Sequence, residues 1–183
     1  MKILYLGYSE NVVHSFLQTR GEVHHTEERL TLDFAIEDYD WIISYGYSHI
    51  IKQHHISKAK NPIINLHISY LPFNRGADPN FWSWLENTPK GVTIHQINQG
   101  VDTGDIFVQK EVIFESEQTL ASSYGILREE IEKLFLISFD DIVKRRILPK
   151  KQEGIGSSHL TKDLAKYRYL LTQGWNTPTN LIK

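Results

Sequence analysis

Short apolar runs closed by glycine alternate along this chain with stretches whose apolar residues recur every three or four positions. The first run, residues 3–6, ends at Gly7, and the second, residues 41–45, ends at Gly46. A third opens at Pro62 and turns polar at its far end, reading Ile63-Ile64-Asn65-Leu66-His67-Ile68-Ser69. Residues 10–19 place Val12, Val13, Phe16 and Leu17 on one helical face. Residues 78–87 do the same with Phe81, Trp82 and Leu85. Two more strands, residues 91–97 and 105–114, flank a turn at 100–105. The longest periodic segment runs from 119 to about 146 through Leu120, Tyr124, Leu127, Ile131, Leu134, Ser138 and Ile142, with Phe135 and Phe139 alongside. That stripe predicts an amphipathic helix lying on a sheet. Strands that alternate with helices predict an α/β architecture, a mostly parallel sheet flanked by crossover helices.

After Leu148-Pro149 the composition changes. Residues 150–158 are polar and glycine-bearing, and the remainder to 183 holds Leu160, Tyr167, Tyr169, Leu170, Trp175 and Pro178. Some thirty residues cannot bury a core of their own, so residues 1–149 read as one domain and 150–183 as an extension packed on it. The formal charge of -2 carries no basic excess, so nucleic acid is not an expected partner. The opening apolar run is too short for a signal peptide, and no later stretch of about eighteen apolar residues could span a membrane. The absence of cysteine removes disulfides, thiolate metal sites and cysteine nucleophiles together, and it makes the cytoplasm the expected location. The neighbouring pairs His24-His25 and His54-His55 point apart on a strand or helix, so no metal site is expected there.

The chemistry concentrates in residues 65–77. Alternate residues of a strand face the same way, so Asn65 and His67 project together, near the carboxyl end of a strand where open α/β sheets place their ligands. The turn at 100–105 brings Asp102, with Gly100 and Gly104 allowing close backbone approach. An amide can donate to a developing oxyanion, an imidazole can move a proton, and a carboxylate can orient that imidazole. Asp105 reads as structural, and His95 reads equally as support for this set or as packing.

Asn-x-His-x-Ser-x-Leu-Pro-x-x-Arg-Gly-Ala from Asn65, Gly-Val-Thr-Ile-His from Gly91 and Val-Asp-Thr-Gly-Asp from Val101 together resemble the folate-dependent formyltransferase family. The resemblance covers residues 41–114 and implies a Rossmann-like formyltransferase fold, with residues 1–149 as the catalytic domain. It implies N10-formyltetrahydrofolate as the formyl donor and Asn65, His67 and Asp102 as the catalytic set, with Asn65 and a protonated His67 on the oxyanion. It also places the pterin pocket at Tyr45, Gly46, Tyr47, Ser48, His49, Ile50 and Ile51, with the backbone near Val101. Acceptor contacts are expected from Tyr70, Phe73, Asn74, Arg75 and Gly76, the Arg75 guanidinium suiting a phosphate or carboxylate.

Glycinamide ribonucleotide enzymes of this family carry a phosphate loop rich in glycine and serine after the first strand. Here that place reads Gly7-Tyr8-Ser9-Glu10-Asn11, and an acidic residue is a poor neighbour for phosphate. The tRNA enzymes carry a further domain. Residues 71–83 and 174–178 most resemble sugar N-formyltransferases of surface-polysaccharide pathways, whose acceptor is an amino sugar on a nucleotide. The alternatives are a glycinamide ribonucleotide or other small-amine formyltransferase, a formyltetrahydrofolate hydrolase, and a folate-binding protein without turnover. An exposed edge or residues 167–175 could serve a homodimer.

Overall fold

The computed structural model describes residues 1–183. Its strands are β1 (Lys2–Gly7), β2 (Glu22–Thr26), β3 (Trp41–Tyr45), β4 (Ile64–His67), β5 (Arg75–Gly76), β6 (Gly91–Gln96), β7 (Ile106–Glu111), β8 (Ser158–His159) and β9 (Thr172–Trp175). Six of them form one sheet in the order β2-β1-β3-β4-β6-β7, and β5 pairs with β8 in a separate ribbon. β2, β1, β3 and β4 run parallel, whereas β6 and β7 are antiparallel to their neighbours. The sheet is thus mostly parallel on one side and antiparallel on the other, as the close spacing of residues 91–97 and 105–114 allows. β2 has no apolar run in sequence. It is an edge strand, and its Glu22-Val23-His24-His25-Thr26 is nowhere fully buried.

Period-two alternation feeds two cores from one strand. Ile3 and Tyr5 of β1 join a cluster with Leu127, Ile131, Phe135 and Phe139, under α1 (Val12–Gln18) and α4 (Leu120–Val143). Leu4 and Leu6 join Ile36, Ile42, Ile51 and Ile63 on the opposite face, near α2 (Gln53–Lys58). The helix boundaries follow capping. α1 begins after Asn11, whose side chain accepts from the His14 N–H at 2.9 Å. Thr119 and Ser122 form a reciprocal capping box at the start of α4.

The α4 stripe departs from the expectation at one position. Tyr124 is 47% exposed, and Ser123 is buried in its place. Ser123 Oγ donates to Asn80 Oδ1 at 3.1 Å and accepts from Trp84 Nε1 at 3.3 Å. The first turns of α4 pack on α3 (Pro79–Leu85), which calls for a small polar side chain at the contact. The pair His54-His55 also differs from expectation. At the start of α2 the two rings lie 3.7 Å apart, because His55 is buried and His54 folds over it. No third histidine or carboxylate joins them as a metal-binding group.

Residues beyond 149 return to the domain. Lys150 exchanges backbone hydrogen bonds with Ile106 at 2.7 and 2.9 Å, and the Leu120 N–H donates to the Thr177 carbonyl at 3.1 Å. Ile182 is buried against Phe81, Trp82 and Leu120. No helix is long and apolar enough to cross a membrane. Phe135 is fully buried, with its ring 5.2 Å from Phe139 and 6.1 Å from Phe16. Phe135→Ala is expected to cost about 3–5 kcal/mol in urea unfolding, by loss of transfer energy and creation of a cavity.

Candidate active site

β4 supplies two functional side chains because of where it sits. Its antiparallel register with β6 sets Asn65 opposite His95 and His67 opposite Thr93. Residues directly opposite share a face of the sheet, so Asn65 and His95 meet. Asn65 Nδ2 lies 3.1 Å from His95 Nε2 and 3.5 Å from Asp102 Oδ1. His95 Nδ1 is 2.7 Å from the Gln96 carbonyl, which can only accept. In the neutral ring, therefore, Nδ1 carries the proton and Nε2 accepts from Asn65. Both hydrogens of the Asn65 amide are then directed at acceptors, and its Oδ1 is left uncommitted.

Asp102 enters from the turn between β6 and β7 in the left-handed region, with φ of 49°. Such backbone is uncommon outside glycine, tolerated best by Asn and Asp, and concentrated at functional sites. The close approach expected of Gly104 is real, since a Cβ there would come within 1.9 Å of the Gln96 carbonyl oxygen. Asp102 Oδ2 accepts from the Gly76 N–H at 2.8 Å and lies 3.6 Å from His67 Nδ1, while Oδ1 lies 3.5 Å from His95 Nε2. Burial would raise the Asp102 carboxyl. The His67 and His95 rings and the Gly76 N–H outweigh it and hold the group well below the usual carboxylate range. Asp102 is therefore ionised at neutral pH.

His67 is 8% exposed and sits between two acceptors, Asp102 Oδ2 and the Asn74 carbonyl 3.4 Å from its Nε2. Burial pushes its pKa down, and the Asp102 charge offsets only part of that. The lowered pKa favours the neutral ring at rest, and a proton gained there would be stabilised by the Asp102 charge. One proton satisfies one acceptor, and a second would satisfy both, so the ring is arranged to receive a proton.

Gln152 was without a signal in the sequence, lying in a polar stretch of the extension. Its Nε2 donates to the carbonyls of Asp102 and Gly104, both at 2.8 Å, and its Oε1 accepts from Arg75 Nε and Nη2 at 3.0 and 2.7 Å. It pins the Asp102 turn to the segment holding Gly76.

The expected binding residues fare unevenly. Asn74 is fully buried, its Nδ2 donating to Thr88 Oγ1 at 2.7 Å and its Oδ1 accepting from Ser157 Oγ at 3.0 Å. Its side chain is thus engaged within the fold. Two donors of Arg75 are already engaged by Gln152. The Tyr70 ring lies against Gly91, at the end of β6 away from His95. The backbone carbonyl of Phe73 accepts from Ser69 Oγ at 2.5 Å. The Gly76 backbone serves Asp102. Tyr45 turns its side chain into the core under α4 and donates to Glu132 Oε1 at 3.0 Å, so only its backbone is open to a ligand. Tyr47 is tied to the Glu28 carbonyl at 2.7 Å, with its ring 5.3 Å from that of His49. Gly46 has φ of 70°, and a Cβ there would strike the Tyr8 ring. Ser48, Ile50 and Val101 are exposed, whereas Ile51 is part of the core. Ile97, at the approach to the Asp102 turn, packs in the same cluster as Tyr47 and Ile51.

A half-buried amide, a buried imidazole and an ionised carboxylate thus meet at one end of the α/β sheet, groups that can together accept, hold and donate a proton. Residues 10–137 match the model of the formyl transferase family, and the chain belongs to that family. The formyltransferase PseJ from Anoxybacillus kamchatkensis, solved with UDP-4,6-dideoxy-4-formamido-L-AltNAc and tetrahydrofolate, is 46% identical. The match covers 100% of this chain and 97% of that one, with a TM-score of 0.95. The dTDP-4-amino-4,6-dideoxyglucose formyltransferase of Mycobacterium tuberculosis is 30% identical over 135 residues, 74% of this chain and 57% of that protein. A methionyl-tRNA formyltransferase of Clostridium acetobutylicum is 31% identical over 134 residues, 71% of this chain and 43% of that protein. The chain thus spans about half the length of these curated relatives.

Two outcomes are expected. Gln152→Ala should lower stability by about 1–3 kcal/mol in thermal unfolding, because two carbonyls and a guanidinium lose their partner. Because the fold keeps His67 neutral, the unfolded chain binds the proton more readily below about pH 6.5. Stability is then full above that pH and falls as pH drops through it. In His67→Gln, urea midpoints measured between about pH 7.5 and 5 should show a shallower fall.

Proposed function

We propose that this chain transfers the formyl group of N10-formyltetrahydrofolate to a primary amine carried by a nucleotide-linked sugar. The observation that carries the reading is the convergence of Asn65, His67 and Asp102 in one cluster, with His67 buried and the other two half-buried. The likeness to PseJ along nearly the whole of both chains supports the acceptor class, since that protein was solved with a nucleotide-linked formamido sugar and tetrahydrofolate.

In this mechanism the neutral amine nitrogen forms a bond to the formyl carbon. Asn65 Oδ1, free in the resting network, can accept an N–H of the incoming amine and aim its lone pair. A proton leaves that nitrogen for neutral His67, whose imidazolium then donates to both the Asn74 carbonyl and ionised Asp102. The imidazolium charge stabilises the developing oxyanion, and the ring, releasing its long contact to the Asn74 carbonyl, afterwards returns the proton to N10 as the C–N10 bond breaks. The products are the formamide and tetrahydrofolate, with no net change in protons. For Asn65 to donate to the oxyanion, its amide must release the longer contact to Asp102.

The segment 45–51 and the backbone near Val101 supply the donor pocket in this reading, with Tyr45 and Tyr47 holding the wall and backbone groups facing the pterin. Residues 150–183 act as part of the catalytic domain, a reading supported by the Gln152 hydrogen bonds and the β5–β8 pairing. The lack of cysteine supports a cytoplasmic setting.

The test is a turnover assay following tetrahydrofolate release, with nucleotide-linked 3-amino and 4-amino deoxysugars, glycinamide ribonucleotide and a no-acceptor control. Release that requires an amino sugar is the expected result. Release without acceptor would replace transfer by hydrolysis, and no release would leave only folate binding. His67→Ala and Asp102→Ala are each expected to lower kcat by about 100- to 10,000-fold with unfolding midpoints still cooperative. Near wild-type rates in either would remove that residue from the mechanism.

A further inference from the structure

A cavity of about 380 Å³ opens between α3 and α4, walled by Pro79, Phe81, Leu120, Tyr124 and Trp175. None of the Asn65, His67 and Asp102 side chains lines it. One carboxylate does, that of Asp78. Asp78 stands two residues from Gly76, whose N–H holds Asp102 at 2.8 Å. Two residues of chain span at most roughly 7 Å, so the cavity mouth and the catalytic cluster are neighbours.

Asp78 is unusual in three respects. Its backbone is left-handed, with φ of 52°, so the local chain is held in a form that most residues avoid. Although it stands at the N-cap position of α3, its side chain caps nothing. It makes no ion pair, and no N–H donates to its carboxylate as the Gly76 N–H does to Asp102. A half-buried carboxylate with no partner, at the edge of an apolar hollow, is a group whose partner is a ligand.

We propose that Asp78 receives the acceptor's amine as an ion pair and that the cavity behind it seats the apolar and flat parts of the acceptor. The inference rests on the acceptor reading above and extends it to a residue. An aliphatic amine is mostly an ammonium ion at neutral pH and cannot attack in that form. At Asp78 the ammonium gives one proton to the carboxylate, and the neutral nitrogen is left to form the bond to the formyl carbon. The proton then passes from Asp78 to solvent through the half-exposed mouth. Burial pushes the Asp78 carboxyl up from the ordinary carboxylate value, a cost of ionisation that a paired ammonium relieves, which favours capture of the cation. The aromatic walls suit a sugar methyl group or a base, since Tyr124 and Trp175 are about half exposed and have ring surface to cover.

The test compares wild type with Asp78→Asn, which keeps shape and tolerates left-handed backbone. Steady-state turnover is measured with the nucleotide-linked amino sugars and the other amines of the acceptor panel, beside tetrahydrofolate affinity by calorimetry. The expected result is an acceptor KM raised at least tenfold and a lower kcat, with tetrahydrofolate affinity within twofold of wild type. A wild type that is active beside an Asp78→Asn variant with unchanged KM and kcat overturns the role of Asp78 alone. A parallel loss of tetrahydrofolate affinity also overturns it, since the residue would then hold the fold or the donor. A wild type that uses no amine of the panel overturns the acceptor reading, and this inference with it.

Discussion

The ionised carboxylate of Asp102, enclosed in the domain, is the feature around which the rest is arranged. An enclosed charge costs several kcal/mol unless it is paired and hydrogen-bonded. Its partners come from separate parts of the chain: His67 on β4, Gly76 on β5 and His95 on β6. The antiparallel pairing of β4 with β6 is what sets His95 beside Asn65, and the crossover through residues 68–76 is what returns the Gly76 N–H to the same carboxylate. The left-handed backbone at Asp102 and the close approach at Gly104 are the local strain that this convergence requires.

In the proposed mechanism the same network sets the direction of proton movement. His67 is shielded enough to stay neutral, yet both of its nitrogens face acceptors. A ring so placed is a base before it is an acid. His95 has its tautomer fixed by the Gln96 carbonyl, and through Asn65 it settles which end of the amide is free. In the proposed mechanism it is a positioning residue, acting through hydrogen-bond polarity.

The C-terminal extension contacts the surroundings of the site at several points. Gln152 ties the Asp102 turn to Arg75, Ser157 holds Asn74, and β8 pairs with β5 on either side of Gly76. Trp175 walls the cavity that begins at Asp78. A segment too short to bury its own core is stabilised by completing the surroundings of the site.

Much of this was legible along the chain. The apolar runs at 3–6, 41–45 and 63–66 are strands because they bury both faces, and the stripe of α4 needs no tertiary information to read. The alternation of a strand was enough to put Asn65 and His67 together, and a motif of fixed spacing was enough to name the family. The sequence alone left β2 unread, since an edge strand need not be apolar, and it could not show that the side-chain polar groups of Asn74 and Tyr45, and two donors of Arg75, have partners within the fold. Hydrogen-bond partners are a property of three-dimensional neighbours, and a polar residue looks the same in sequence whether its partner is a substrate or Ser157. The neutral state of His67, the commitment of the Asn65 amide and the part played by Gln152 were decided only by tertiary structure. Each depends on burial and on contacts between residues tens of positions apart, which no local pattern encodes.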